Sequence, residues 1–185
     1  MVRAPLLFAA FLLVAAGIVL AGCAGELPVP GQTSSTAGGK ATTSTTESAA
    51  IQLGEQVGAA WSEAVQKLVP LLQGTPPIAS IQPSVTALKE EYIQKMVALG
   101  RQIASLRPDN QQAAYDRAAD ILSSTAATDW FTNYVSLYNV YSARSDQASQ
   151  DFAIVLSTFN TLTEYAFFNV LKTQDPDEAT RLGIQ

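Results

Sequence analysis

The sequence predicts an all-α protein: an antiparallel bundle of four to five helices behind a disordered N-terminal tether. Three observations predict it. After residue 51, apolar residues recur at three- and four-residue spacings, the period of a helix face. Pro, Gly and Ser clusters cut that pattern into segments of helix length. Before residue 51, aromatic residues are absent beyond the first apolar run, and Pro, Gly, Ser, Thr and Ala dominate. Strand-type alternation and internal repeats are not found. The chain therefore divides into residues 1–22, residues 23–50 and a helical domain over 51–185, a size that can bury a core without disulfides or metal.

Residues 1–22 read as a targeting segment. Arg3 supplies a short positive start. Leu6 to Ala21 is an uncharged apolar run of 16 residues, shorter than the roughly 20 that span a bilayer as a helix. It suits the apolar region of a secretory signal peptide. The run ends in Leu20-Ala21-Gly22-Cys23. Small residues before a cut let the backbone enter a peptidase cleft, and the thiol can take a lipid. This tetrapeptide resembles the lipobox of bacterial lipoproteins. The resemblance implies a diacylglyceryl group on Cys23, cleavage between Gly22 and Cys23, and a membrane held through two or three acyl chains, which anchor stably where one does not. It also implies a bacterial cell envelope location. With Ala24 after the cysteine, where an Asp would favour inner-membrane retention, it implies the outer membrane, facing periplasm or surface, in a two-membrane cell.

Residues 23–50 are too polar and too small in side chain to offset their ordering entropy. They read as a tether, with a coil span of about 30 Å.

The helical segments follow in order. Leu53, Val57, Trp61, Ala64, Leu68 and Leu71 mark one face of the first, and Pro70 should kink or end it. Gly74-Thr75-Pro76-Pro77 is a break. Val85, Leu88, Tyr92, Met96, Leu99, Ile103 and Leu106 mark the second, with Pro83 placed in its first turn and a stop at Arg107-Pro108. Asp109 and Gln112 suggest a capping box for the third, whose apolar stripe is Tyr115, Ala119 and Leu122. Thr128-Asp129 restarts a helix with Trp130, Tyr134, Leu137 and Tyr141 along it, so the two pieces can form one long kinked helix. A turn is expected near Ser145-Asp146. Without it, residues 129–172 would be a single long helix and the fold would be extended or swapped. Phe152, Leu156, Phe159, Thr163, Ala166 and Val170 mark a last long helix, expected to be the most buried. Asp175-Pro176-Asp177-Glu178 reads as a cap, an N1 proline and an acidic first turn, for a short helix ending at Gly183.

Composition narrows function more than it identifies it. The net charge is −5, with 11 Lys+Arg against 16 Asp+Glu. No basic stretch interrupts that balance, so a nucleic-acid partner is not expected. Histidine is absent and Cys23 is the one cysteine. His-dependent triads, His-ligated metals and intramolecular disulfides are thereby excluded. Neither a G-x-S-x-G, a P-loop, a dinucleotide fingerprint nor a calcium loop is present. No catalytic residue, cofactor or metal site is assigned. Asp116 and Asp120 lie one helical turn apart, as paired carboxylates for a cation would, but they read as a solvated face. Glu164 sits on the most apolar segment. Facing inward it would need Arg101, Arg117 or Arg144; facing water it would need none.

Trp130, Phe131, Tyr134, Tyr138 and Tyr141 form the candidate patch for a partner or ligand, because four of the five rings carry a polar tip. Core packing with the tips at the rim is the bland alternative. The expected function is a non-catalytic accessory or scaffold subunit of an envelope assembly, with a protein partner. The alternative is a binding module for a lipid or apolar small molecule, with a cavity lined by Phe152, Phe159, Phe167 and the tyrosines.

Overall fold

A computed structural model describes the backbone of residues 40–184, with side chains from residue 46 onward. The expected signal segment, Gly22, Cys23 and the expected tether up to residue 39 lie outside the described residues. Seven α-helices and no strand occur among those described: α1 (Lys40–Leu72), α2 (Ile78–Ala104), α3 (Pro108–Thr125), α4 (Asp129–Ser142), α5 (Gln147–Thr161), α6 (Phe168–Gln174) and α7 (Pro176–Arg181). A 3-10 turn over Leu162–Ala166 joins α5 to α6. None of the described helices is long and apolar enough to cross a membrane.

Cross-helix contacts give the topology. Glu63 and Lys67 of α1 meet Lys95 and Glu91 of α2, so these two helices run antiparallel. Gly54 faces Ala114 and Gly58 faces Ile121, so α3 runs parallel to α1. Trp61 stacks near Trp130, and the Tyr141 hydroxyl donates to the Pro76 carbonyl. Hence α4 continues in that same direction. Tyr134 meets Asn160 and Tyr141 meets Phe152, so α5 returns antiparallel to α4. The core is an up-down-up-down bundle whose third member is broken into α3 and α4. The expected kinked helix is thus two helices with one heading, parted at residues 126–128. The turn near Ser145 is present. Asp146 accepts hydrogen bonds from the Ser149 amide (2.9 Å) and hydroxyl (2.7 Å), which starts α5.

Several boundaries differ from the sequence reading. α1 begins at Lys40, inside the expected tether. Extending a formed helix adds one hydrogen bond per residue without a new nucleus, and the core already begins at the fully buried Ala50. α2 begins at Ile78, so Pro83 lies past the first turn, on an exposed position. α3 is capped by Arg107 with Pro108 at its first position, which moves Asp109 inside the helix and leaves no capping box.

The buried face of α3 is also rotated. Ala114 and Ala118 are buried, whereas Ala119 and Tyr115 (42% exposed) are not. The reason is the closeness of α1. A Cβ on Gly54 would collide with the Ala114 carbonyl, and one on Gly58 would stand 2.8 Å from the Ile121 Cβ. Only small residues fit between backbones so close, and larger ones are pushed to the rim.

The last long helix stops early. Phe152, Leu156 and Phe159 are fully buried on α5, but Thr163 and Ala166 belong to the 3-10 turn and Val170 to α6. Nor is this segment wholly buried, since Ile154 is 68% exposed. The terminal helix forms as expected. The Asp175 carboxylate accepts from the Glu178 amide (3.0 Å). At its other end, Gly183 (φ +68°) donates to Thr180 and Ile184 donates to Ala179. That pattern is a Schellman cap, and its left-handed position favours glycine.

Candidate functional site

The five candidate aromatics lie on α4, and the structure turns most of them inward. Tyr134, Tyr138 and Tyr141 are core residues, while Trp130 and Phe131 are half-buried against it. They form a chain of rings. Trp61 lies 6.2 Å from Trp130 and 5.7 Å from Phe131, and Phe131 lies 5.9 Å from Tyr134. Tyr141 meets Phe152 edge-on at 5.2 Å. Such contacts add to what their area alone contributes.

The polar tips of Tyr134 and Tyr141, and that of Trp61 beside them, are committed as well. Trp61 Nε1 donates to the Phe159 carbonyl (2.8 Å), Tyr134 Oη to Asn160 Oδ1 (2.7 Å) and Tyr141 Oη to the Pro76 carbonyl (3.0 Å). Burial holds the Tyr134 and Tyr141 hydroxyls above the usual phenol range, so they remain donors. These rings stitch α4 to α1 and α5. The three tyrosines do not line an open surface, and Trp130 and Phe131 keep part of their rings at the rim.

What α4 leaves outward is the opposite face. Thr132, Asn133, Ser136, Asn139 and Val140 are exposed there. No charged residue occurs from 130 to 143, nor from 152 to 163 on α5 and the following turn. The hydroxyls of this face are turned back on the helix, while the Asn133 and Asn139 amides face outward. Thr132 Oγ1 donates to the Thr128 carbonyl (3.2 Å) and Ser136 Oγ to the Thr132 carbonyl (3.0 Å). On α5, Ser157 Oγ donates to the Ile154 carbonyl (2.7 Å). Hydroxyls turned back on their own helix lose little when water leaves. Val140, 42% exposed, and Ile154 add apolar area. Charge depletion of this kind marks the centre of protein interfaces. This face carries none of the candidate aromatics, although its two charge-free runs are visible in the sequence.

The other candidates are placed as follows. Asp116 and Asp120 are exposed. Asp116 accepts from Gln112 Nε2 (2.7 Å), and Arg117 pairs with Glu55 (2.7 Å) instead. Among the described residues, no group of three or more acidic or Cys side chains could hold a metal. Glu164 is half-buried, and its carboxyl is held above the usual range by burial and then by the nearby Asp175. No salt bridge joins it to Arg101, Arg117 or Arg144 among the described residues.

Two open grooves stand out. One, of about 270 Å³, lies by Gly100, Tyr115, Phe167 and Asn169. The other, of about 310 Å³, runs between α1 and α2 past Gln56, Ala59 and Lys95. Phe152 and Phe159 line neither.

At the second groove, Glu63 bridges Lys67 (3.1 Å) and Lys95 (2.7 Å) over the buried Tyr92 ring. Lys95 and then Lys67 hold the Glu63 carboxyl down to about 2. This exposed cluster clasps α1 to α2.

Comparison of the chain with family models, with curated proteins and with solved structures gave no match.

Proposed function

We propose that this chain is a lipid-anchored bacterial envelope protein whose helical domain is a non-catalytic interaction subunit, docking through the outer face of α4 and α5. The observation that carries the docking role is the pair of charge-free stretches on that hairpin, residues 130–143 and 152–163, in a chain where 15% of residues are charged. Exposed helix faces normally carry a dense mixture of both charge signs. A face without them is cheap to desolvate, which is what a docking surface requires. The anchor is supported by the resemblance of Leu20-Ala21-Gly22-Cys23 to a lipobox. A tether between anchor and bundle would let the face search for its partner close to the membrane.

The test uses the full-length protein, extracted from its native membrane in mild detergent and weighed by native mass spectrometry. The expected result is acyl mass on Cys23 and a bound polypeptide, of the same or a different chain, at fixed stoichiometry. Ser136→Arg, which puts a charge in the middle of the face, should remove that polypeptide and leave the acyl mass. A chain that comes alone, unchanged by Ser136→Arg, would overturn the docking role. A Cys23 without acyl mass would overturn the anchor.

A further inference from the structure

We propose that α6 and α7 form one flap, hinged at Phe167, which opens from an otherwise folded bundle and uncovers the groove beside Gly100.

The backbone supplies the hinge. Phe167 stands between the 3-10 turn and α6 with φ −119° and ψ 83°, belonging to neither. Its amide donates to the Glu164 carbonyl (2.9 Å), on the side of the turn. Its carbonyl accepts from the amides of Val170 (2.8 Å) and Leu171 (3.1 Å), on the side of α6. Rotation about ψ of Phe167 therefore swings α6 and breaks none of these bonds. The Phe167 ring stays behind, edge-on to Tyr115 of α3 at 5.1 Å. A single residue that absorbs a dihedral change between rigid pieces is how lids are hinged. The next joint is locked. The Asp175 carboxylate accepts from the Glu178 amide (3.0 Å), so turning that joint costs the cap of α7. The two helices also pack on one another, and they move together.

The strongest ion pair of this segment is internal to it, Arg181 on Glu178 at 2.6 Å. Reaching outward, Arg181 meets Glu90 at 3.4 Å, and Glu178 takes the Tyr165 hydroxyl at 3.3 Å. Exposed contacts of that kind contribute little. What keeps the flap shut is apolar. Phe168 lies in a socket at Gly100, where a Cβ would stand 2.5 Å from the Phe168 Cε1 and 3.0 Å from the Ala166 carbonyl oxygen. Leu171, Ala179 and Ile184 are buried as well. Phe168, Asn169 and Val170 also wall the groove whose other side is Ile103, Gln111 and Tyr115. Swinging the flap out empties the socket and removes that wall. Helices of seven and six residues are too short to persist alone in water. The open flap thus loses its own amide protection, while the long helices keep theirs.

The experiment is amide hydrogen exchange of the full-length protein in mild detergent, read by mass spectrometry. In the unaltered chain, α6 and α7 should share one dependence on low urea. It should be shallower than that of α1 between Val57 and Leu68, because the flap exposes less surface than the whole fold. Phe168→Ala should speed exchange in both short helices by about tenfold, the scale of a half-buried ring lost. Leu68→Ala should speed exchange in α1 by about a hundredfold. It should leave α6 and α7 within about twofold of the unaltered chain, since the open flap still contains the core. Circular dichroism establishes that each variant is folded. One urea dependence common to α1, α6 and α7, or equal acceleration of all three by Leu68→Ala, would mean that the segment opens only with the whole fold, and would overturn the inference. Different urea dependences for α6 and α7 would mean separate fraying and overturn the single flap. Exchange unchanged by Phe168→Ala would overturn the socket at Gly100 as its latch.

Discussion

Two buried tyrosines show how differently one hydroxyl can act. Tyr92 is fully buried, and its hydroxyl, beside Lys67 and Glu63, falls outside hydrogen-bonding geometry to either. Tyr141 is equally buried but donates to Pro76. Removing an unmade hydrogen bond is nearly neutral, whereas removing a made one leaves a carbonyl unsatisfied. Tyr92→Phe should therefore change stability by less than about 0.5 kcal/mol, and Tyr141→Phe should cost about 1–2 kcal/mol, both read from urea unfolding. Glu164 gives a pH-dependent counterpart. Burial, then Asp175, raises its carboxyl pKa, so the folded chain binds a proton more readily than the unfolded one. Its ionisation then opposes folding at neutral pH, and that cost is relieved as pH falls through the raised value toward the ordinary glutamate value near 4.3. Glu164→Gln should stabilise at pH 7, by less than about 1 kcal/mol after solvent screening. The gain should vanish near pH 4 if melting is followed across that range. That Glu164 lies on an apolar segment was legible in the sequence. That it would sit half-buried without one of the three arginines was not, because pairing depends on how distant helices meet.

At the scale of elements, α1 against α3 is the instructive pair. Helix propensity alone says that Gly54→Ala should stabilise α1 by about 1 kcal/mol. The Ala114 carbonyl occupies the space that the new methyl would need. A backbone atom cannot swing aside as a side chain can, so overpacking should win. The expected net loss is about 1–2 kcal/mol by chemical denaturation. A gain would mean that the two helices separate easily. The same contact explains why the stripe read from Tyr115, Ala119 and Leu122 was off by one residue. Hydrophobicity ranks large residues as core. Close backbone approach reverses that ranking and buries Ala114 and Ala118.

Across the whole molecule, α1 touches each of the other long helices, and the fully buried Leu68 stands in its last two turns. One continuous core should unfold in one step. Leu68→Ala should lower stability by about 2–5 kcal/mol. The fluorescence of the buried Trp61 and the far-UV circular dichroism should report the same urea midpoint. Separate midpoints would mean that α4 and α5 detach before the rest. The C-terminal helix is tied into this body by Arg181, which bonds both Glu178 (2.6 Å) and Glu90 of α2 (3.4 Å). Arg181 foremost holds the Glu178 carboxyl below its usual range.

The sequence by itself determined the class of the protein and most of its elements. Periodicity is a property of a single helix, so the stripes of α1, α2, α4 and α5 could be read residue by residue. So could the Asp175-Pro176 start of α7 and the turn at Asp146, since caps act within a few residues. The tertiary structure decided what depends on neighbours far along the chain. It set the rotation of α3, the break of the last helix at Leu162 and the inward turn of the α4 tyrosines. It also decided which face of α4 stays open. Burying one side of an amphipathic helix is a local instruction, but the side left for a partner is settled only after every other helix has taken its place.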